Sequence, residues 1–297
     1  MAAPEIRCVL GAHPVVGEGP TWAPEESALY WIDIYNPTLN RFDPATGATR
    51  EWRMPAPIGS FALTKKGRAV VALKTGIHLL DFATGALKLL ANPEPNLAEN
   101  RLNDGKVSPD GRFFVGSMHD AKPRKPLGSL YRLDPDGKCH KAIDGGIHVS
   151  NGLAWSPDGR TMYHSDSTTA AVSAWSYDAK TGAIANRRDF VKTTDQQGRP
   201  DGAATDMDGC YWSAGVSAGN LNRFRPDGTL DRSIAMPCAA PTMPCFAGPE
   251  LKTVYVTSLR DGVSADKLAR QPLTGSIFAL EVDVPGAPIP RFDDTKL

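Results

Sequence analysis

Four residues with oxygen donors recur at one position of a repeated pattern: Glu18, Asn103, Asn151 and Asp201. Three are followed immediately by glycine, in Glu18-Gly19, Asn151-Gly152 and Asp201-Gly202, and Asn103 is followed by Asp104-Gly105. Carboxylate and amide oxygens suit a hard or borderline divalent cation: calcium, magnesium, manganese, zinc or ferrous iron. Glu18 and Asp201 would neutralise the two charges of one such ion. The asparagine carbonyls complete its shell without adding charge. Four protein donors leave positions open for water and substrate. Any one of these residues is also an ordinary turn or strand starter. Their common offset is what points to a site.

That offset comes from turns. Ser108 to Gly111, Ser156 to Gly159 and Asp206 to Gly209 are Ser-Pro-Asp-Gly-like turns between short runs of β-formers. A second turn type recurs between them, as in Asp43 to Gly47, Asp81 to Gly85 and Asp134 to Gly137. In register, Ala23, Thr64, Ser108, Ser156, Asp206 and Gly248 are spaced by 41, 44, 48, 50 and 42 residues. Four strands per period of this size make a propeller blade. The Gly-His and Trp-Asp marks of WD40 units are absent. The expected fold is all-β: a six-bladed β-propeller of four antiparallel strands per blade, in one domain over 1–297. Ile6 to Leu10 would add a strand to the last blade and close the ring. Five residues before each register residue stand Glu18, Gly59, Asn103, Asn151, Asp201 and Met243. These should face the mouth of the central channel, which is where a metal site would form.

Composition narrows the function. Lys plus Arg and Asp plus Glu both number 33, so the chain lacks the basic field a nucleic-acid binder needs. Gly 28 and Pro 25 make it turn-rich and disfavour a helical bundle. No apolar run reaches the length of a membrane span, and no leader-like apolar segment follows Met1. Five cysteines without a CxxC pair argue against a disulfide framework and for a reducing cytoplasm. The oligomeric state is open, a monomer being compatible.

The chain resembles the SMP-30/gluconolactonase/regucalcin-like family. The marks are Gly17-Glu18-Gly19-Pro20 with Trp22, Arg101-Leu102-Asn103-Asp104-Gly105, Gly116-Ser117-Met118, Ser150-Asn151-Gly152-Leu153 and Pro200-Asp201-Gly202. Pro244-Cys245-Phe246-Ala247-Gly248 resembles the final blade. The similarity spans nearly the whole chain and looks closest to bacterial sugar-acid lactonases. It implies one catalytic divalent metal held by Glu18, Asn151 and Asp201. It implies Asn103 beside the metal and Arg101 on the substrate's oxygens. The implied activity is hydrolysis of an aldonolactone to the aldonic acid. Some members carry an acidic pair after Gly-Thr-Met, where this chain has His119-Asp120.

A lactone is an activated ester, and a cation can polarise its carbonyl. Asp201 is the candidate general base for the attacking water, and Glu18 a plain ligand. Arg101 offers a planar fork of donors to a sugar. His119 is the polar candidate for substrate contact on the rim. The rim should comprise Tyr35-Asn36, Lys74, His119-Asp120, Asp166-Ser167 and Leu259-Arg260-Asp261, with 260–275 as a lid. Two other readings stay open. One is an ester hydrolase of paraoxonase or fluorophosphatase type; the other is a non-enzymatic metal- or sugar-binding propeller. Gly215-Val216-Ser217-Ala218-Gly219 matches G-x-S-x-G but lacks the strand-to-helix elbow of a serine hydrolase.

Overall fold

A computed structural model describes residues 4–297. Its strands form six four-stranded antiparallel sheets, each one blade. The inner strands are Gly17–Ala23, Ile58–Leu63, Asn100–Val107, Ser150–Trp155, Pro200–Thr205 and Pro241–Ala247. Each packs on the next, and the sixth meets the first, so they close a ring. The sixth blade takes its outer strand from the start of the chain. Ile6–Leu10 pairs with Ile277–Glu281, with Ile6 opposite Leu280 and Arg7 opposite Ala279. The expected six-bladed propeller and its closure are both observed.

The turns set this register. Gly67, Gly111, Gly159 and Gly209 donate their N–H to the carbonyls of Thr64, Ser108, Ser156 and Asp206 at 2.8 to 3.3 Å. All four glycines have φ between 69° and 87°, a region side chains with a Cβ seldom enter. The core is divided rather than central. Six buried clusters each join two neighbouring blades. Tyr163 of blade four packs on Tyr211 of blade five with ring centroids 5.1 Å apart. Trp22 of blade one stacks on Tyr255 of blade six at 6.1 Å. The inner strands, covered on both faces, are buried almost throughout, whereas the outer strand Ala183–Lys192 is mostly exposed.

Every inner strand breaks its pairing near its start. The irregularities fall at Glu18/Thr21, Ile58/Ser60, Leu102/Gly105, Asn151/Ala154, Pro200/Ala203 and Pro241/Pro244. A bulge bends a strand and re-aims its side chains. The four oxygen-bearing residues therefore sit on, or directly beside, four of six equivalent bends.

The segment after Glu281 crosses the opposite end of the channel. Met207 N–H donates to the Pro285 carbonyl at 2.8 Å, and Lys65 N–H to that of Phe292 at 3.0 Å. Phe292 is fully buried between blades two and three. The buried Asp294 carboxylate accepts from Arg68 Nε at 2.9 Å and from Lys66 N–H at 3.0 Å. Among the described residues the five cysteines are free, and no helix is long and apolar enough to cross a membrane.

Candidate active site

A cavity of about 180 Å³ opens where the inner strands begin. Glu18, Arg101, Asn103, Asn151 and Asp201 all line it, from blades one, three, four and five. All five are at least nine-tenths buried. The two register positions without an oxygen donor have packing roles. A Cβ on Gly59 would stand 2.1 Å from the Leu102 carbonyl oxygen, so glycine lets blades two and three approach beside Asn103. Met243 packs in blade six and is buried.

The polar groups hold one another. Glu18 Oε2 accepts from Gly19 N–H at 2.8 Å, the glycine having φ of 58°. Asn103 accepts from Arg101 Nη1 at 2.5 Å through its oxygen. Its nitrogen donates to the Ser150 carbonyl at 2.8 Å and to Asn151 Oδ1 at 3.0 Å. Asn151 Nδ2 donates to Ser167 Oγ at 2.8 Å, which in turn donates to the Pro200 carbonyl at 2.6 Å. These bonds fix both amide orientations and turn Asn151 Oδ1 toward the same region as Asn103. Arg101 is oriented by Asp120, with Nε 3.2 Å from Oδ1, and its guanidinium lies 5.4 Å from the Tyr35 ring centroid. Tyr35 hydroxyl donates to the same Asp120 oxygen at 2.8 Å.

The carboxylates stand in electrostatic conflict. Burial raises the Glu18 carboxyl well above its ordinary range, and the charges of Asp201 and Asp104 raise it further. Asp201 is raised by burial and by Asp104, against the pull of Arg199 and Arg101. Lys106 lies buried beneath, donating to the Ala203 carbonyl, and it lowers Glu18 only in part. Charged groups of one sign do not gather in a buried site without a counter-ion. Two carboxylates and the oriented Asn151 oxygen make a donor set that fits a hard divalent cation. Asn103 spends its oxygen on Arg101 and stands beside that set. Among the described residues no group of three His, Cys, Asp or Glu could hold a metal, so any such site needs the amide.

The profile of the SMP-30/gluconolactonase/LRE-like region matches residues 16–260. The chain belongs to this family. A 6-deoxy-6-sulfogluconolactonase of Pseudomonas putida is 40% identical over 289 residues, 97% of this chain and 98% of that relative. A regucalcin of Xenopus laevis is 36% identical over 94% of this chain and 95% of its own length. A crystal structure described as a calcium-binding protein, regucalcin, from Agrobacterium tumefaciens superposes with a TM-score of 0.92. It is 29% identical and covers 98% of this chain and 99% of that one.

One expected site residue does not reach this cavity. His119 is buried at the end of the strand Phe113–His119, with Nε2 2.9 Å from Glu99 Oε2. It is absent from the lining. Strand alternation turns Met118 inward to the cavity and sends its neighbour the other way. On the rim, Tyr35, Ser167, Leu259 and Asp261 line the cavity, whereas Asn36, Lys74, Asp120, Asp166 and Arg260 do not. The segment expected as a lid contains a short helix, Ala265–Arg270. Gly215 to Gly219 spans the hairpin between Tyr211–Gly215 and Asn220–Phe224, with no elbow.

Two charged lining residues have no place in the sequence reading, Arg124 and Arg199. Arg199 had a legible signal. It stands two residues before Asp201, as Arg101 stands before Asn103, Val16 before Glu18 and Val149 before Asn151. Residues two apart on a strand share a face, and all four line the cavity. Arg124 had no such signal, because it lies in the connection between two strands of blade three.

Proposed function

We propose that this chain hydrolyses a sugar-acid lactone, a pentono- or hexono-lactone, to its aldonic acid with a divalent metal at Glu18, Asn151 and Asp201. The chain is a lactonase, a carboxylic ester hydrolase. The observation that carries this reading is the convergence of two buried, mutually repelling carboxylates with an oriented amide oxygen on one small cavity. The lactonase name of the Pseudomonas putida relative supports it, as does the calcium-binding description of the Agrobacterium neighbour.

When bound, the cation supplies polarisation of the lactone carbonyl and charge for the developing oxyanion. The chain's own residues do the rest. Asp201 accepts the proton of the attacking water at its carboxylate. Glu18 balances charge and is held by Gly19 N–H. Asn103 fixes Arg101, whose remaining donors hold sugar oxygens. The polar lining, with three guanidiniums, suits a polyhydroxylated substrate better than an aryl ester.

The test is lactone hydrolysis by chelated protein reloaded with each of the five candidate ions, against pentono- and hexono-lactones, with spontaneous hydrolysis subtracted. Turnover should depend on the ion. Glu18→Gln and Asp201→Asn should each lower kcat/KM by about 10²-fold or more. No turnover with any ion, or full activity of both variants in chelator, would sink the proposal.

A further inference from the structure

The charge of the cavity is not balanced for a neutral lactone. Its lining carries three carboxylates, Glu18, Asp201 and Asp261, and three guanidiniums, Arg101, Arg124 and Arg199. A divalent cation would add two positive charges. An aldonolactone with only hydroxyl groups brings no charge to answer them.

The three guanidiniums differ in commitment. Arg101 is buried and bound to Asp120, Asn103 and the Leu102 carbonyl. Arg199 is exposed at the rim, and among the described residues its side chain has no carboxylate within 4.0 Å. Its backbone is nevertheless pinned. Arg199 N–H donates to Ser217 Oγ at 2.9 Å, and its carbonyl accepts from Val216 N–H at 3.1 Å. Arg124 is half-buried. Its Nη1 lies 3.8 Å from Asp120, 3.4 Å from the His119 carbonyl and 3.6 Å from Met118 Sδ, all weak contacts. Arg124 comes from blade three and Arg199 from the entry to blade five, so they flank blade four, where Thr168 also lines the cavity. Asp261 belongs to blade six, outside this sector.

We infer that Arg124 and Arg199 bind an anionic group carried by the substrate on the part of the sugar chain away from the lactone carbonyl. The substrate class is then a lactone with a phosphate, sulfonate or carboxylate substituent. Arginine forks match such oxyanions in bidentate fashion. The inference rests on the lactonase reading for its reaction, but the anion pocket can be tested apart from turnover.

The test is calorimetric binding of open-chain acids to metal-loaded protein at fixed ionic strength. Gluconate is compared with 6-phosphogluconate, 6-deoxy-6-sulfogluconate and glucarate, which place a phosphate, a sulfonate and a carboxylate at carbon six. At least one should bind about tenfold or more tightly than gluconate, as charge-assisted hydrogen bonds imply. The arm that wins names the group. In Arg199→Gln and Arg124→Gln the ratio to gluconate should fall toward one, and Arg199→Lys should restore part of it. Equal binding of all four acids overturns the inference, as does failure of all four to bind. A preference that survives both glutamine variants overturns the assignment to these arginines. If an anionic acid binds preferentially while no lactone is hydrolysed, the lactonase reading fails and the anion site stands. If lactones turn over with no anion preference, only the inference fails.

Discussion

The side-chain nitrogen of Asn103 lies 3.0 Å from Asn151 Oδ1, and this bond ties blade three to blade four at the cavity floor. The same amide accepts from Arg101 through its oxygen. Asn103 thus links the proposed ligand set to the proposed substrate clamp. It does so without needing to touch a cation.

Removing that link should misplace both groups. Asn103→Ala removes one of the two acceptors of Arg101 Nη1 and the donor to Asn151 Oδ1, leaving Asn151 held through Ser167 alone. The expected loss in kcat/KM is about 10²-fold, the usual consequence of misplacing groups at an active site by an ångström. Lactone hydrolysis with thermal unfolding as a folding control checks this. Activity within twofold of the parent would show that Asn103 does not position the site.

A second prediction concerns the metal-free protein and pH. Glu18 and Asp201 have their carboxyls raised in the folded state, from ordinary values of 4.5 and 3.8. Above pH 4 the unfolded chain releases these protons while the fold retains them. The contribution of both groups to stability is therefore full below about pH 4 and lost as pH rises through the raised values. A bound divalent ion would replace the protons and cancel the loss. The midpoint gap between metal-loaded and chelated protein should widen from pH 5 to 8. His164 works in the opposite sense, since burial lowers it to about 4 and stability falls as pH drops from about 6.5. It lies outside the cavity lining and so largely drops out of the difference between the two forms. Thermal scans with and without chelator read the gap directly. A gap that is flat or narrows with pH contradicts the assignment of Glu18 and Asp201 as ligands.

The fold was legible because its turns are. A positive-φ glycine closes the first turn of blades two to five, and such turns leave a short, fixed signature in sequence. Five of the six expected site residues reach one cavity for a related reason. The inner strands share one geometry, so one offset from the turn means one place at the channel mouth. His119 shows where this fails. A loop position carries no register, so at the end of Phe113–His119 a single residue decides between cavity and core. Asp120, its neighbour, is the residue that orients Arg101 and Tyr35. The buried pair of Asp104 and Lys106 was also hidden, because charged side chains in a sequence read as solvated until a fold encloses them.

The segment across the far end of the channel was not legible either, since it has no strand period and few hydrogen bonds of its own. Its anchor is Phe292, fully buried between blades two and three beside Val107, Phe113 and Leu133. The backbone around it pairs in both directions, Phe292 N–H to the Leu63 carbonyl at 2.9 Å and Lys65 N–H to the Phe292 carbonyl at 3.0 Å. Phe292→Ala removes a ring from a closed site whose walls are strands of two blades and cannot collapse freely. The expected cost is about 3–5 kcal/mol. Urea unfolding measures it, and the catalytic cavity, which Phe292 does not line, should keep its kcat/KM in the folded fraction. A cost below about 1 kcal/mol, within the range of an ordinary surface substitution, would mean that the blades hold together without the strap. A cost in the expected range would make the segment a structural tie between blades two, three and five, closing the ring from below as the strand Ile6–Leu10 closes it at the outer edge of blade six.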